Sequence, residues 1–536
     1  MLSVIPLILV LFQSPVASPI PDPLLPNRGN PAVDVQHYEL HLQLEPKRRF
    51  VEGRAVVGFQ ILQTMAKTSL DFHHMLEVTA VSLDQQKVDF TQTDEKLNFN
   101  LPFRPERNQK VELEVTYRGF LPQVEYDGEI IGMLHDGHHL VAYLEPDGAH
   151  NFFPCNDHPS DKATYDLYVS VPDGNLVGAI GELVSERAAA TEGFREFHWR
   201  TQIPTSTYLV ALAAGNYSLI KREEGKIAVW DYCEPRDEED IKDSLASVPP
   251  MIPYFERFFG PYPFEKYGHV TTRHWIGGME DQTLTVLGRE EALSGDVGLL
   301  AHELGHQWFG NWVGPRQWTD LWLNEGWATF CELLWYEHDY PEQTSRTLKE
   351  WRRSTIRLAM RAHPHTLAKP DPKNLFNPNL VYNKGGMVIS LLDGYLGRAG
   401  LVKATKAYLK EFGGKNAATA DFERILSRES GIDMKPFFDA WVRQNDLPQI
   451  SWQIETEKEG DGYRCSVTLK QVNGHFPMTA ALDLLGKEPG QRLRLLAKFD
   501  KPEITLSGHA NFLPTRSSFD PEQKLPWVPA EPTDSK

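Results

Sequence analysis

The sequence predicts a multidomain α+β protein, with an N-terminal β domain, a central α+β domain rich in helices, and a small C-terminal β-sandwich. Its 536 residues exceed what one hydrophobic core usually holds, and 41% of them are hydrophobic, which is enough to fill several cores. The hydrophobic pattern also changes twice, from a period of two to a helical period near residue 240 and back to short strands after residue 448.

The N-terminal β domain is predicted over residues 29–215, after a Pro-rich lead-in that starts at residue 20. Residues 37–44 alternate between apolar and polar side chains, as a strand with one buried face does. Further strand-like runs follow at 54–60, 97–101, 111–117, 165–171 and 208–214.

The central domain is predicted over residues 216–447, where long amphipathic segments indicate helices. The clearest of these segments are 299–309, 318–336, 385–395 and 403–412. The sequence Asp446-Leu447-Pro448 then breaks the helical pattern. The C-terminal β domain is predicted over 448–536, with strands at 451–455, 463–469, 480–485 and 492–499.

The N-terminus resembles a leader. Residues 2–12 form an apolar run of signal-peptide length, and small residues at Ala17 and Ser18 offer a cleavage point, so residues 1–18 are predicted to be a signal peptide. We therefore expect a secreted or periplasmic protein. No Lys or Arg precedes the run and prolines flank the cleavage point, so a cytoplasmic location stays open. The run is too short to cross a bilayer, and we expect no membrane span.

The formal net charge of -18 disfavours binding to nucleic acid or to anionic membranes, and we expect neither. The four cysteines, Cys155, Cys233, Cys331 and Cys465, form no C-x-x-C pair, which argues against a zinc ribbon or a redox motif. An exported chain would allow three disulfide connectivities, but scattered buried thiols are favoured. We assign none of the four to catalysis.

His302-Glu303-Leu304-Gly305-His306 carries the strongest chemical signal in the chain. Residues four apart in a helix lie about 40° apart around its axis, so the two imidazoles face one metal ion. Glu303 follows the first imidazole and is placed to take a proton from a water on zinc, as a general base does. The motif therefore predicts a zinc-dependent hydrolase.

A catalytic zinc ion needs a third protein ligand and keeps one position open. Glu325, in Leu323-Asn324-Glu325-Gly326, supplies that ligand from a second helix that we expect to begin near Thr319. Glu332 lies two turns further on the same face, where it could hold a ligand imidazole or form a surface salt bridge.

Two further motifs accompany the zinc motif: Gly277-Gly278-Met279-Glu280-Asp281 and Val381-Tyr382-Asn383-Lys384-Gly385. With them the chain resembles, over nearly its whole length, the aminopeptidase N-like zinc aminopeptidases, a gluzincin family that includes leukotriene hydrolase. The resemblance implies a thermolysin-like catalytic domain in the centre of the chain. Larger members add a helical domain that this chain is too short to hold, so we expect a more open cleft.

The resemblance also implies roles for residues outside the zinc motif. In the family, the Gly277-Gly278-Met279-Glu280 segment is the exopeptidase motif, and Glu280 corresponds to the residue that binds the substrate's α-amino group. Glu145, which leads into Pro154-Cys155-Asn156-Asp157, corresponds to a second amine anchor, and Tyr382 to a donor to the oxyanion. Asp281 departs from the family's Asn, which leaves details of the first side-chain pocket open. Lys384 is expected to be structural or exposed.

These observations predict an aminopeptidase with one Zn²⁺ per chain, which hydrolyses the first residue from peptides with a free N-terminus by zinc-activated water attack. The sequence does not indicate the preferred first residue, the physiological substrate or the oligomeric state. Two alternatives stay open: a hydrolase that acts on an epoxide, and a peptide-binding receptor without catalysis. A panel of aminoacyl amides with an epoxide alongside would separate the three.

Overall fold

The structure is a computed structural model that describes residues 21–126, 128–223, 225–274 and 277–530. The predicted signal peptide lies outside these residues. Strands dominate the first part of the chain, helices the centre and strands the end, so the predicted multidomain α+β fold is confirmed. The exact domain limits at 215 and 447 stay a prediction.

The N-terminal part is built from three sheets. An eight-stranded sheet has the order β14-β15-β12-β1-β2-β8-β4-β5, a five-stranded sheet the order β13-β16-β11-β10-β9, and a small sheet the order β3-β7-β6. The strands are β1 Val33–Glu45, β2 Phe50–Ile61, β3 Lys67–Asp71, β4 Glu77–Leu83, β5 Gln86–Lys87, β6 Phe90–Gln92, β7 Lys96–Asn100, β8 Lys110–Phe120, β9 Gln123–Tyr126, β10 Glu129–His135, β11 Leu140–Tyr143, β12 Lys162–Pro172, β13 Leu176–Ala179, β14 Glu182–Ala188, β15 Phe194–Ser206 and β16 Leu212–Gly215.

The alternation along β1 matches a strand with one buried face. Tyr38, Leu40, Leu42 and Leu44 are buried, whereas the residues between them point to the partly exposed face. One strand prediction is wrong in part: 208–214 begins with a 3-10 turn, Thr207–Leu209, before β16. Tyr208 in that turn is buried against Trp318, with ring centroids 5.0 Å apart, and this tertiary contact overrides the local strand preference.

The central part combines helices with a five-stranded sheet of order β17-β18-β19-β21-β20. Its elements are β17 Ser218–Arg222, β18 Val229–Cys233, α1 Glu238–Ser244, α2 Val248–Phe259, β19 Tyr267–Thr272, β20 Gly278–Met279, β21 Thr285–Gly288, α3 Arg289–Ser294, α4 Val297–His306, β22 Val313–Pro315, α5 Trp322–Asp339, α6 Pro341–Met360, α7 Gly385–Leu396, α8 Arg398–Phe412, β23 Lys415–Ala417, α9 Thr419–Ser430 and α10 Lys435–Trp441.

Strands β19, β20 and β21 were not expected from the sequence pattern. All six residues of β19 are buried and its pairings with β18 and β21 are parallel, so it shows no alternation that a period of two would reveal. The expected helix start near Thr319 is also wrong, because Trp318–Asp320 forms a 3-10 turn and α5 begins at Trp322. Both segments position the site described below.

The C-terminal part is a sandwich of a four-stranded sheet, β28-β25-β24-β30, and a three-stranded sheet, β27-β26-β29. Trp452 in the first sheet stacks on Phe519 in the second, with ring centroids 5.9 Å apart. This sandwich shares its hydrophobic core with the central helices, and the indole of Trp441 donates a hydrogen bond to the Pro477 carbonyl. The strands are β24 Gln449–Glu459, β25 Gly462–Gln471, β26 Met478–Leu485, β27 Arg492–Phe499, β28 Glu503–Ala510, β29 Arg516–Phe519 and β30 Val528–Pro529.

The segment of residues 21–31, which we call the N-terminal strap, binds both the β part and the helical part. Asp22 is fully buried and accepts a hydrogen bond from the Trp318 backbone amide at 2.7 Å, just before α5. Arg28 pairs with Asp147 and with Glu95, each at 2.5 Å. The strap therefore joins the loop after β11 to the approach to α5.

The four cysteines are buried and carry free thiols, as the sequence favoured. Among the described residues, no helix has both the length and the apolar character that a bilayer crossing requires.

Candidate active site

Two helices with very close packing form the base of the site. A Cβ atom on Gly305 of α4 would lie 2.8 Å from the Cys331 sulfur and 3.0 Å from its Cβ in α5. Only glycine fits at that distance, so the helices approach closely enough for side chains of both to reach one point. The glycine within the His-Glu-x-x-His motif thus has a packing role.

His302, His306 and Glu325 converge at this crossing. Their ligand atoms all lie within 4.8 Å of one another, and Glu325 Oε2 lies 3.3 Å from His302 Nε2 and 3.5 Å from His306 Nε2. The exposed fractions are 7%, 1% and 2% respectively, so the three groups are shielded from bulk water. The structure therefore brings together the three predicted metal ligands.

The other imidazole nitrogens are held by partners outside the ligand set. His302 Nδ1 lies 2.9 Å from Glu332 Oε1, and His306 Nδ1 lies 3.1 Å from the Phe309 carbonyl oxygen. These contacts leave both Nε2 atoms directed at Glu325, the usual arrangement around ligand histidines. Of the two roles open to Glu332, the structure selects the contact with a ligand imidazole.

The donor set fits zinc. Two imidazoles and one carboxylate are a common catalytic zinc set. Glu325 Oε2 is buried and accepts no hydrogen bond from the described residues, so a cation is needed to offset its burial. Burial opposes ionisation of Glu325, whereas the neighbouring imidazoles of His306 and His302 lower its pKa to about 2.

The Glu303 side chain lies against strand β20. A Cβ atom on Gly278 would lie 2.2 Å from Glu303 Oε1, so the glycine backbone forms the wall on which this carboxylate rests. Burial, only partly offset by the imidazoles, raises the pKa of Glu303 to about 7. Its Oε2 accepts no hydrogen bond from the described residues and is available to a proton from the pocket.

Glu280 directly follows β20 and approaches the same centre. Its Oε1 lies 3.8 Å from His306 Nδ1. Its backbone carbonyl accepts hydrogen bonds from Gln307 Nε2 at 3.1 Å and Asn311 Nδ2 at 2.7 Å. These two side chains, just after the zinc motif, tie α4 to the loop that carries Glu280. Neither side chain was predicted from the sequence, because both hydrogen bonds are tertiary contacts.

Glu145 completes a second carboxylate group. Oxygen atoms of Glu145, Glu280 and Glu325 lie within 4.8 Å of one another. Burial and then the charges of neighbouring carboxylates raise the pKa of Glu145 well above its ordinary value, and burial raises that of Glu280. Ionisation of all three carboxyl groups would place excess negative charge at this point, which a cationic ligand beside the metal would balance. Asp281, the departure from the family pattern, is buried, and its carboxylate oxygens accept no hydrogen bond from the described residues.

Tyr382 lies in a π-helical turn, Pro378–Lys384, that leads into α7. The Cβ positions of Gly326 and Gly385 come within 3.0 Å of the opposite backbone, so α7 crosses α5 next to Glu325. The Tyr382 ring stacks on His302, with centroids 5.8 Å apart. Lys384 in this turn is structural, because its buried Nζ donates to the Gln444 carbonyl and to Asn445 Oδ1.

The predicted catalytic, metal-binding and substrate-binding residues border one cavity of about 620 Å³, except Gly277, which directly precedes β20. The wall also includes Glu332, which the sequence indicated, and residues that were not predicted: Tyr126, Ile131, Tyr143, Asp296, Gly298, Leu299, Tyr336, Phe376 and Pro378. The cavity is the right size for a few residues of a peptide.

Comparison with known families gives two adjacent matches. The Peptidase family M1 domain matches residues 244–441, and the Peptidase M1 N-terminal domain matches residues 34–209. Together they cover most of the chain and both parts that border the cavity.

Individual relatives agree with these matches. A leucyl aminopeptidase of Saccharolobus solfataricus is 28% identical over 72% of this chain, and a human glutamyl aminopeptidase is 29% identical over 57%. The aligned part covers 50% and 34% of those proteins, so the chain spans half or less of their length.

Among solved structures, an M1 zinc metallopeptidase from Deinococcus radiodurans superposes with a TM-score of 0.72 and 26% identity. The match covers 80% of this chain and 98% of that one. A mutant of the same protein was solved with a Tyr-Ser-Ala substrate, at a TM-score of 0.70.

Proposed function

Because this chain belongs to peptidase family M1, we propose that it is a zinc-dependent aminopeptidase that removes single residues from peptides with a free N-terminus. The one observation that carries this proposal is the carboxylate group of Glu145, Glu280 and Glu325. A metal ligand and two other buried carboxylates lie within 4.8 Å of one another. When the α-ammonium group of a peptide binds there, the first peptide carbonyl of that peptide lies next to the metal ligands.

This geometry distinguishes an aminopeptidase from an endopeptidase. An endopeptidase must accommodate an uncharged chain on both sides of the scissile bond, and two buried carboxylates would then lack a cationic partner. A peptide with a free N-terminus supplies that partner. N-acetylated peptides should therefore be poor substrates.

We propose one zinc ion per chain, held by His302, His306 and Glu325. When bound, zinc supplies Lewis-acid chemistry that polarises the scissile carbonyl and makes water more acidic. Glu332 orients the His302 imidazole through Nδ1, which keeps Nε2 available as a ligand.

Glu303 acts as the general base and acid. Its free Oε2 takes a proton from the attacking water and then passes it to the nitrogen of the leaving amine. The backbone of Gly277 and Gly278 keeps the Glu303 carboxylate at a fixed distance from the substrate chain. Met279 directly precedes Glu280, which binds the substrate amine.

Tyr382 donates a hydrogen bond from its phenol to the oxyanion that forms as water attacks the carbonyl. Burial, together with nearby carboxylates, raises the pKa of Tyr382 well above its ordinary value, so it remains a protonated donor. Because the oxyanion exists only in the transition state, this contact lowers the barrier more than it strengthens substrate binding.

The test is a panel of aminoacyl chromogenic amides with N-acetylated counterparts and an epoxide substrate alongside. We expect cleavage of free-amine amides only, loss of activity with a chelator, and recovery after zinc is restored. Cleavage of N-acetylated amides at equal rates would contradict the exopeptidase assignment. Absence of any turnover by the zinc-loaded protein would favour the receptor, and turnover of the epoxide alone would favour the third alternative.

We further propose export from the cytoplasm, supported by the apolar run at residues 2–12 and the small residues that follow. N-terminal sequencing of the protein purified from the native host tests this. A mature chain that begins near residue 19 is expected, and a chain that keeps residues 1–18 in the cytoplasm would contradict export.

A further inference from the structure

The proposed function does not specify which first residue the protein prefers. The residues around Glu145 and Glu280, the two amine anchors, indicate that preference. The side chain of the first residue leaves the Cα atom next to the α-ammonium group, so it must lie close to Glu145 and Glu280. Tyr143 stands two residues before Glu145 at the end of β11, and Met279 directly precedes Glu280 in β20. Both line the cavity. The chain thus supplies an aromatic and an apolar wall beside the anchor.

Three other residues with large aromatic or aliphatic side chains also border the cavity. Ile131 lies in β10, the strand paired with β11, and is 3% exposed. Phe376 packs against the hydrophobic core of the N-terminal β part, as Tyr143 does. Tyr126 in β9 donates a hydrogen bond from its phenol to the Pro372 carbonyl at 3.4 Å, which joins the β hairpin to the loop that carries Phe376. We call Tyr126, Ile131, Tyr143, Met279 and Phe376 the apolar wall.

The many carboxylates of the cavity exclude peptides whose first residue has an acidic side chain. No Lys or Arg occurs among the described residues that line it, whereas six carboxylates do: Glu145, Glu280, Asp296, Glu303, Glu325 and Glu332. A bound zinc ion and one α-ammonium group offset part of this charge. If the first residue of the peptide is Asp or Glu, its side-chain carboxylate would have no cation to pair with. It would also lose its hydration against the apolar wall.

From these observations we propose that the apolar wall makes this protein select peptides that begin with a large apolar or aromatic residue, such as Leu, Met, Phe or Tyr, and reject those that begin with Asp or Glu. This inference rests on the proposed function of the same site and names its substrate class. Burial of a Phe side chain against five apolar residues favours binding, while an unpaired buried carboxylate opposes it. Phe376 is the specificity residue most open to test, because it lies half-buried in a loop.

Two measurements test the selection. The first compares kcat/KM for Phe, Leu, Arg and Glu amides with the zinc-loaded protein, and we expect Phe or Leu to exceed Glu by about 100-fold or more. The second measures calorimetric affinity of the Glu303→Gln protein for the same amino acid amides, which it should not hydrolyse. Equal or better values for Glu, or a clear preference for Arg, would overturn the inference.

Substitutions at Phe376 test whether the apolar wall causes the preference for the first residue. We expect Phe376→Ala to lower the Phe-to-Ala ratio of kcat/KM by about 10-fold, and Phe376→Lys to raise the Glu-to-Phe ratio by supplying the missing cation. Phe120→Ala is the matched control, because Phe120 is 51% exposed in β8 and borders no part of the cavity. Unchanged ratios in both Phe376 variants would refute the assignment.

The two proposals fail in different ways. If no amide is cleaved, the proposed function falls, while the affinity ranking with Glu303→Gln still decides the inference. If amides are cleaved without regard to the first side chain, only the inference falls. Absence of binding by all four amides would count against the inference as well.

Discussion

Gly278→Ala should impair catalysis without removing the metal. The new methyl group would lie 2.2 Å from Glu303 Oε1, 2.5 Å from Cδ and 2.9 Å from Cγ. Ordinary contact distances are close to 3.5 Å, so the Glu303 carboxylate must move by about 1 Å. A displacement of that size at a reacting group costs about 100-fold in rate. The three nearest atoms all belong to Glu303, so the displacement falls first on that side chain.

The assay compares kcat/KM for a preferred aminoacyl amide, zinc content by atomic absorption, and the thermal midpoint. We expect kcat/KM about 100-fold lower, one zinc ion retained, and a small change in midpoint, because Gly278 does not have the positive φ that favours glycine. Gly394→Ala in α7 is the matched control, since its Cβ meets nothing within 4 Å. Activity of Gly278→Ala within about twofold of the parent would refute the argument that this glycine sets the Glu303 position.

Four further results are expected. Glu303→Gln should lower kcat by about 100-fold or more while zinc stays bound, and substantial remaining turnover would exclude Glu303 as the base. Glu332→Gln should weaken zinc binding by about 10- to 100-fold in competition with a chromogenic chelator, and unchanged affinity would show that its contact with His302 is dispensable. Asp22→Ala should lower the free energy of unfolding by about 1–3 kcal/mol, measured by urea, because a buried backbone amide loses its acceptor. Burial lowers the pKa of Lys384 to about 7, whereas an unfolded Lys titrates near 10.4, so between these values the unfolded chain binds more protons and stability rises with pH. Relative to Lys384→Met, the parent should therefore gain about 1 kcal/mol per pH unit between pH 7.5 and 9, and a constant difference would contradict the lowered pKa.

The sequence alone allowed the metal ligands to be predicted because helical geometry links His302 to His306. The partner Glu325 required a second helix, whose start was misplaced by three residues because Trp318–Asp320 forms a 3-10 turn. Glu145 and Tyr382 are distant in sequence from the zinc motif, and only the family resemblance indicated that they belong to the site. The structure brings all five to one cavity.

Other features could not be predicted from one sequence. Strand β19 is buried on both faces, so its sequence lacks the alternation that identifies a half-exposed strand. Gln307 and Asn311 hold the Glu280 carbonyl through tertiary hydrogen bonds that no local pattern encodes. The close contacts at Gly305 and Gly326 likewise depend on which helix lies opposite, and this is known only after the chain has folded.

The N-terminal strap limits how this protein can be produced and labelled. Asp22 is buried only four residues after the predicted leader ends, so there is little room for an affinity tag between them. A recombinant protein that starts near residue 32 would lose the acceptor for Trp318 and the guanidinium that pairs with Asp147. Low yield or weak activity of such a shortened protein would then reflect loss of docking rather than an error in the active-site assignment, and a purification handle is better fused to the other end.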